Sequence, residues 1–286
     1  MSGRLVVCPT PIGNLEDITL RVLSALREAD VVACEDTRRT RVLLDRYGVK
    51  ARLVSYHEHN ERSRAAELVE KMREGEVVAL VSDAGMPLVS DPGYLLVRAC
   101  VAAGLPVEVL PGPSAAITAL VASGLPADEW HFHGFLPRKK GELREVLAGD
   151  SSTAGGHAST LVAFESPRRL PATLAVLAEL DPDREVAVCR ELTKAHEEIV
   201  RGSAAELAAR YEDNPPKGEI VLVLAPHQRR AGGPAGGGRD APPDPAALDA
   251  LRKLVDAGAH PRKAASVVAS LTGASANALY RALTSE

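Results

Sequence analysis

The chain has few aromatic residues, few cysteines and no long apolar run. Aromatic residues make up 3% of the 286 residues, so the core has to be built from aliphatic side chains. The four cysteines are far apart, which argues against a disulfide framework and predicts reduced thiols in the core. No apolar run approaches the ~20 residues of a membrane helix, and nothing resembles a signal peptide. We therefore expect a cytoplasmic protein that has no membrane partner.

The common nucleotide and metal signatures are also absent. The sequence has no G-x-G-x-x-G fingerprint and no G-x-x-x-x-G-K-[ST] loop, which argues against Rossmann dehydrogenases and P-loop NTPases. His57 and His59 are close in sequence, but two histidines without a third ligand do not make a metal site, so we predict no metal. The net charge of −4 does not by itself indicate nucleic-acid binding.

Apolar runs of strand length alternate with helical patterns from Leu5 to Gly124. This alternation is typical of a mostly parallel sheet covered by helices on both faces. A second α/β unit follows, with a mobile Gly- and Ser-rich loop predicted at 149–159. The chain then becomes dense in Gly, Pro and Ala and ends in three short helices. The predicted divisions are an N-terminal α/β domain at 1–115, a C-terminal α/β domain at 116–226, a disordered linker at 227–244 and a small helical, helix-turn-helix-like domain at 245–286.

The stretch 77–93 organises the first of these domains. Residues 77–81 are apolar and rich in β-branched side chains, as in a buried strand. Asp83 then lies just past the carboxyl end of that strand, where ligands bind in open α/β sheets. In the turn that follows, Ser90 or Asp91 is predicted to cap the next helix. The alternative is an ordinary strand-to-helix loop whose Asp and Gly serve only the turn.

The loop 112–116 allows two interpretations. It resembles the G-x-S-x-G nucleophile elbow with Ala in place of the last glycine, so Ser114 could be the nucleophile of a serine hydrolase. Ser114 could instead cap the following helix, whose free backbone N–H groups and positive end would receive a ligand's carboxylate or hydroxyl. Pro113 is awkward beside a strained nucleophile, so we favour capping with ligand contact.

Basic residues form three groups, each just past the carboxyl end of a strand or in a loop. A solvated surface is the simplest interpretation of any one group. Three groups on the expected binding face suggest an anionic substrate such as an RNA backbone. The groups are Arg38, Arg39 and Arg41, then Arg138, Lys139 and Lys140, and finally Arg168 and Arg169.

Eight motifs are spread in order across residues 9–198. They are PTPIGNLEDIT, CEDTRRT, SYHEHNE, VSDAGMPLVSDPG, LPGPSAA, FHGFLPRK, FESPRR and ELTKAHEE. Together they resemble the ribosomal RNA small subunit methyltransferase I family, within the tetrapyrrole (corrin/porphyrin) methylase superfamily. The tail also resembles the small helical domain at the end of many members.

The resemblance implies two α/β domains with S-adenosylmethionine bound in the cleft between them, followed by a small all-α domain. It implies that the protein is a homodimer and that it binds small-subunit rRNA or the small ribosomal subunit. The implied reaction is methyl transfer to the ribose 2′-hydroxyl of a cytidine in the decoding region of that RNA.

The resemblance also assigns cofactor residues by their positions within the motifs. They fall at strand ends and at one helix start, on the face that the residues alone indicate for ligand binding. The assigned residues are Pro11 in the first loop, Ser82, Asp83, Ala84, Gly85 and Met86 in the second, Ser114 and Ala115 in the third, and Glu165, Leu192 and Thr193 in the second domain.

A ribose hydroxyl has to lose its proton to become a good nucleophile. Glu35, Asp36, Lys194 and Glu197 are the candidate acceptors, and Lys194 could instead stabilise the developing oxyanion. Three other functions stay open at this point. They are methylation of a tetrapyrrole or another small molecule on the same fold, a serine hydrolase that uses Ser114, and an RNA-binding protein that has lost its cofactor.

Overall fold

The computed structural model describes four stretches of the chain, which are residues 3–148, 159–227, 245–272 and 276–284. The chain divides into two compact units, Met1–His227 and Gln228–Glu286. The loop predicted at 149–159 and the linker predicted at 227–244 lie outside the described residues, except for Ser159 and His227. Within the described stretches, none of the helices has the length and apolarity that crossing a membrane requires.

Five parallel strands form the first sheet, in the order β3-β2-β4-β1-β5. The mostly parallel sheet predicted for this part of the chain is thus confirmed. Its central strands are buried on both faces, which explains their continuous apolar runs. The strands are β1 (Arg4–Val7), β2 (Val31–Cys34), β3 (Leu53–Ser55), β4 (Val77–Val81) and β5 (Val107–Val109).

Helices cover both faces of this sheet and complete two aliphatic core clusters. Thr19 caps the first helix, because its hydroxyl accepts a hydrogen bond from the backbone N–H of Val22 (3.1 Å). All four cysteines are buried and free, as predicted. The helices are α1 (Leu20–Glu28), α2 (Thr37–Arg46), α3 (Glu61–Arg73) and α4 (Tyr94–Ala102). The next helix, α5 (Ala115–Ser123), packs against the second sheet instead.

The start of α4 differs from the prediction that Ser90 or Asp91 caps it. Ser90 has a positive φ of 65°, so the chain is still turning there and the helix begins only at Tyr94. The cap comes from Glu61, at the start of α3. Its carboxylate accepts hydrogen bonds from the N–H groups of Gly93 (2.9 Å) and Leu95 (3.3 Å). Asp91 is therefore not needed for capping.

The second sheet is mixed, in the order β6-β7-β10-β8-β9. Only β6 and β7 run parallel; the other neighbours are antiparallel. Small residues of α5, Ala116 and Ala119, pack against this sheet, and Ile12 from the loop after β1 joins the same core. The strands are β6 (Trp130–Phe135), β7 (Thr160–Glu165), β8 (Glu185–Arg190), β9 (Glu198–Ser203) and β10 (Ile220–Leu224), and the helices are α6 (Lys140–Ala148), α7 (Leu170–Leu180) and α8 (Ala204–Tyr211).

The second compact unit contains three helices in its described residues, as the sequence pattern predicted. Their core consists of small and aliphatic side chains, among them Leu251, Val268 and Leu279. The division of the first unit at residue 115 into two domains stays a prediction. The helices are α9 (Pro245–Asp256), α10 (Pro261–Thr272) and α11 (Ala276–Thr284).

Candidate active site

A cavity of about 330 Å³ lies between the loops at the carboxyl end of the first sheet and the second sheet. This volume is in the range of small-molecule sites, which is roughly 300–1,000 Å³. The loops after β1 and β4 and the start of α5 form one side. The lining residues on that side are Ile12, Ala84, Gly85, Met86, Val89, Ser90, Asp91, Ser114 and Ala115, and those on the other are Phe135, Phe164, Glu165, Ser166, Pro167, Gly218, Glu219, Ile220 and Val221.

The structure brings six of the eleven predicted cofactor residues into this lining and leaves five outside it. The six lie on three elements that meet only in the folded chain. Those that line the cavity are Ala84, Gly85, Met86, Ser114, Ala115 and Glu165, and those outside it are Pro11, Ser82, Asp83, Leu192 and Thr193.

The loop after β4 is held against the loop after β1. Thr10 and Gly85 exchange two backbone hydrogen bonds of 2.9 Å. The Thr10 hydroxyl also donates to the carbonyl of Ser82 (3.0 Å), and the Ser82 hydroxyl donates to the carbonyl of Gly85 (3.2 Å). Gly85 has a φ of +78°, and a Cβ there would lie 3.3 Å from Ile12 Cγ2. Ser82 thus positions the lining rather than forming it.

Asp83 joins the loop after β4 to the loop after β2. Its Oδ1 accepts a hydrogen bond from the backbone N–H of Asp36 (3.0 Å), and its Oδ2 lies 3.3 Å from Arg39 Nη1. The carboxylate therefore faces its neighbouring loop and not the cavity. This arrangement holds in place the segment that carries Glu35.

Ser114 occupies the N-cap position of α5, but its hydroxyl makes no capping hydrogen bond. The capping interpretation is therefore wrong for the side chain, which lines the cavity instead. The first N–H groups of α5 have no partner within the helix, as at any helix start. Within the described residues, no histidine is hydrogen bonded to Ser114, so the arrangement lacks the base that a serine nucleophile needs.

Glu165 is buried, and its carboxylate is already satisfied by the chain. It accepts hydrogen bonds of 2.6 Å from the N–H of Ser166 and from the hydroxyl of Thr173. Arg169 Nη2 lies 3.2 Å from Glu165 Oε2 and also donates a hydrogen bond to the carbonyl of Pro137 (2.6 Å). Arg169 thus ties β7 to the segment after β6. Sequence alone grouped it with the RNA-binding residues, but its guanidinium is engaged inside the protein.

The loop after β8 contacts the loop after β1. A Cβ on Gly13 would lie 2.4 Å from Lys194 Cγ, so only glycine fits there. Thr193 has a φ of +65°; its hydroxyl accepts from the N–H of Asn14 (3.0 Å), and its own N–H donates to Glu197 (2.6 Å). Glu197 therefore stabilises a strained loop, and Thr193 and Leu192 hold the two sheets together.

Lys194 is bound by two carboxylates. Its Nζ lies 2.8 Å from Glu191 and 3.0 Å from Glu219. Burial alone would lower the pKa of Lys194, but the hydrogen bonds to Glu191 and Glu219 outweigh burial and raise it. Lys194 therefore stays protonated and is not a proton acceptor.

Glu35, Asp36 and Asp91 lie near one another at the carboxyl end of the first sheet, and their pKa values are shifted in different directions. Burial, followed by repulsion from Asp83, raises the pKa of Glu35. Hydrogen bonds from Arg38 lower the pKa of Asp36 to about 2. Burial, followed by repulsion from Glu35, raises the pKa of Asp91 to about 6, although a hydrogen bond with Ser82 acts in the opposite direction.

Asp91 is the titratable residue that the sequence reasoning missed. It lines the cavity and has an ionisation near neutral pH, which neither Asp36 nor Lys194 offers. Asp91 lies in the S-D-P-G turn, but Ser and Asp are common helix caps, so the sequence pattern indicated a capping role for Asp91. Phe135, Phe164 and Gly218 were also missed, because nothing in their local sequence signals that they face a cavity.

The basic residues predicted to bind RNA differ in whether they form ion pairs within the protein. Arg38 pairs with Asp36 (2.8 Å) and Lys139 with Glu142 (2.8 Å). Lys140 lies 3.8 Å from Glu179. Of the eight basic residues predicted to bind RNA, Arg41, Arg138 and Arg168 are exposed and form no ion pair with any described residue.

Comparison with known proteins agrees with this geometry. The family described as Tetrapyrrole (Corrin/Porphyrin) Methylases matches residues 4–208. The "Ribosomal RNA small subunit methyltransferase I" of Mesorhizobium japonicum is 46% identical over 281 residues, which cover 98% of this chain and 90% of that protein. The protein of the same name from Escherichia coli O157:H7 is 44% identical and covers 98% of this chain and 94% of its own length.

A solved structure of "Uroporphyrin-III C-methyl transferase from Thermus thermophilus complexed with S-adenyl homocysteine" has the same fold. It superposes with a TM-score of 0.53 at 21% identity, over 78% of this chain and 97% of that one. The two-sheet α/β fold and the resemblance seen in the eight motifs are both confirmed. The chain belongs to the tetrapyrrole methylase superfamily and, within it, to the ribosomal RNA small subunit methyltransferase I family.

Proposed function

We propose that this protein transfers the methyl group of S-adenosylmethionine to the ribose 2′-hydroxyl of a cytidine in the decoding region of small-subunit rRNA. The observation that carries the proposal is the cavity between the two sheets, which is lined by Ala84–Met86 and Ser114–Ala115. Two exposed arginines, Arg138 and Arg168, follow its lining residues Phe135 and Pro167 in the chain. The names of the full-length relatives support rRNA as the acceptor. The sequence resemblance supports the cytidine ribose.

The residues present fit S-adenosylmethionine. Small side chains at Ala84 and Ala115 leave room for the cofactor. The Ser114 hydroxyl, which makes no capping hydrogen bond, and the first N–H groups of α5 can bind the cofactor's hydroxyl or carboxylate oxygens. Ile12 and Val221 offer apolar surface to a flat ring. The cofactor supplies a methyl group already activated by its positive sulfur. The protein therefore has mainly to align the ribose oxygen with that methyl group and exclude water.

We assign the role of proton acceptor to Asp91. It lines the cavity, and its raised pKa of about 6 leaves it ionised at neutral pH yet more basic than an ordinary aspartate. The four residues proposed from sequence are less suitable. Asp36 and Glu197 are engaged in backbone hydrogen bonds, and Lys194 is protonated. Glu35 repels Asp91 and so raises its basicity.

We expect the exposed cations to bind RNA phosphates, together with the C-terminal helices. The neighbours Arg168 and Arg169 provide a matched test. Arg168→Gln should weaken RNA binding several-fold and reduce the slope of log affinity against log salt by about 1, because one phosphate contact is lost. It should leave stability unchanged, since Arg168 is exposed and pairs with no described residue.

Arg169→Gln should behave in the opposite way. It removes the partner of the buried Glu165 and the donor to two carbonyls, so it should lower the free energy of unfolding by about 2 kcal/mol. The salt slope of RNA binding should not change. Filter binding at several salt concentrations and urea unfolding measure the two quantities. An unchanged slope for Arg168→Gln would remove that residue from the RNA interface.

The homodimer and the cytoplasmic location stay predictions. Ile117 and Val121, one turn apart on α5, are 45% and 74% exposed, and such an apolar face is consistent with a second copy covering it. Sedimentation equilibrium of the wild type and of Val121→Glu is the check. A dimer that the substitution leaves intact would place the interface elsewhere.

The experiment that tests the reaction class compares acceptors with labelled S-adenosylmethionine. Small ribosomal subunits, protein-free rRNA and a tetrapyrrole are offered in parallel, and cofactor binding is measured separately by calorimetry. Label in subunits or rRNA supports the proposal. Label in the tetrapyrrole alone supports the small-molecule alternative, and absence of cofactor binding would favour an RNA-binding protein that has lost its cofactor.

A further inference from the structure

The three phenylalanines of the chain lie together at the cavity. The ring centroids of Phe132 and Phe164 are 5.0 Å apart, and those of Phe135 and Phe164 are 5.4 Å apart, both pairs edge to face. Phe132 and Phe164 are half-buried against the core under α5. Phe135 lines the cavity and is 62% exposed. A protein with so few aromatic residues therefore leaves one ring open to solvent at its candidate active site.

A register shift in β6 sets the direction of the Phe135 ring. Phe132 pairs with Val162 and Phe135 with Phe164, so three residues of β6 match two residues of β7. In a regular strand, residues three apart point to opposite faces. The extra residue of the bulge, next to Gly134 at a φ of +76°, puts Phe135 on the same face as the other two rings. Bulges of this kind are common beside active sites, where they redirect a side chain.

The surroundings of the ring favour a nucleotide. Arg138 follows three residues later, and Arg168 follows Pro167, a lining residue. Both arginines are exposed and form no ion pair with any described residue. An open aromatic face, with free cations a few residues away along the chain from the cavity lining, is a combination suited to single-stranded nucleic acid, with the base on the ring and the phosphates on the cations.

We propose that Phe135 stacks on the base of the acceptor nucleotide and so presents its ribose to the cavity. This inference rests on the proposed function and names the contact that selects a base-bearing acceptor. The small-residue loops at Ala84–Met86 and Ser114–Ala115 account for the cofactor, whereas Phe135 lies on the opposite wall and is open to solvent. The ring is therefore assigned to the acceptor.

The test is binding of a short decoding-region RNA that carries either the target cytidine or an abasic ribose at that position. Wild-type protein should bind the cytidine RNA about 10- to 100-fold more tightly, the range given by base–aromatic stacking. Phe135→Ala should bind both RNAs within threefold of each other. Phe135→Tyr should restore the preference, because the ring is kept. Affinity for S-adenosylmethionine, measured by calorimetry, should be unchanged in all three proteins.

Phe132→Leu is the matched control, since it alters the same aromatic cluster away from the solvent. Phe132→Leu should keep the preference for cytidine RNA. If Phe132→Leu loses that preference, Phe135 acts only through packing of the aromatic cluster and the inference is overturned. The inference also fails if the wild type does not prefer the base, or if Phe135→Ala weakens cofactor binding as much as RNA binding. The assay does not depend on methyl transfer. A clear base preference in a protein that methylates no RNA would refute the proposed reaction and leave the stacking contact in place.

Discussion

Replacing Asp91 by Asn is expected to lower kcat by about 10²- to 10⁴-fold, the usual contribution of a general base. The amide is nearly isosteric with the carboxylate but cannot accept the ribose proton. KM for the cofactor should change little. In the wild type, the pKa of Asp91 of about 6 means that the carboxylate of the free enzyme is protonated below that pH, so kcat/KM should fall about tenfold per pH unit there.

The same substitution should stabilise the fold above pH 6. The pKa of Asp91 is raised from 3.8 to about 6, so the folded protein holds this proton more tightly than the unfolded chain does. Stability from this group is therefore greatest below pH 4 and is lost as the pH rises through 6. Asparagine does not ionise, so Asp91→Asn removes the cost of holding a charged carboxylate at this position. The gain should be about 1–2 kcal/mol at pH 8, after allowance for solvent screening, and should vanish at pH 4.

Single-turnover kinetics and urea unfolding at pH 4 and pH 8 measure these two effects. Glu35→Gln is the comparison, because Glu35 belongs to the same carboxylate group and repels Asp91. It should lower the pH at which activity is half maximal, with a smaller loss of kcat. If Glu35→Gln abolishes transfer while Asp91→Asn retains it, Glu35 is the proton acceptor and the assignment of Asp91 is wrong.

Replacing Glu61 by Ala should lower the free energy of unfolding of the first compact unit by about 2–4 kcal/mol. Its carboxylate caps α4 through Gly93 and Leu95 and accepts a hydrogen bond from the hydroxyl of the buried Tyr56 (2.9 Å). Burial and the bond to Glu61 raise the pKa of Tyr56, so the phenol stays protonated and remains a donor. Alanine leaves three donors without their acceptor.

Amide hydrogen exchange gives this effect a local readout. The N–H groups of Gly93 and Leu95 should lose protection in Glu61→Ala, and the loop that carries Asp91 should loosen with them, which raises KM for the cofactor. Tyr56→Phe is the matched control, because it removes one hydrogen bond and keeps the cap. It should cost about 1 kcal/mol and leave both amides protected. Equal exchange in the two variants would show that Glu61 does not cap α4.

The elements with strong local signals were predictable. The run Val77–Val81 has the composition of a buried strand, and the structure has a strand with those bounds. Gly85 follows this strand and Ser114 follows β5, and their position at the cavity agrees with the rule that strand carboxyl ends meet at one edge of a parallel sheet. The family followed from eight motifs, and full-length relatives confirm it.

The remaining features depend on contacts between distant parts of the chain. Asp91 lines the cavity, and the cap that the sequence pattern assigned to Ser90 or Asp91 comes from Glu61, 30 residues earlier in the chain than Asp91. Phe135 faces the cavity because of a register shift against β7, which a strand pattern does not reveal. Arg168 and Arg169 are alike in sequence, yet only Arg169 reaches the buried Glu165. Local propensity carries no information about any of these pairings.

Nucleotide mapping is the most direct test of whether this cavity methylates one ribose of small-subunit rRNA. Small subunits from a strain without the enzyme are incubated with labelled S-adenosylmethionine, and the modified nucleoside is located by nuclease digestion and mass spectrometry. We predict label on the 2′-oxygen of a single decoding-region cytidine, and loss of that label with Asp91→Asn. Label on a base, or at many riboses without dependence on Asp91, would contradict this prediction.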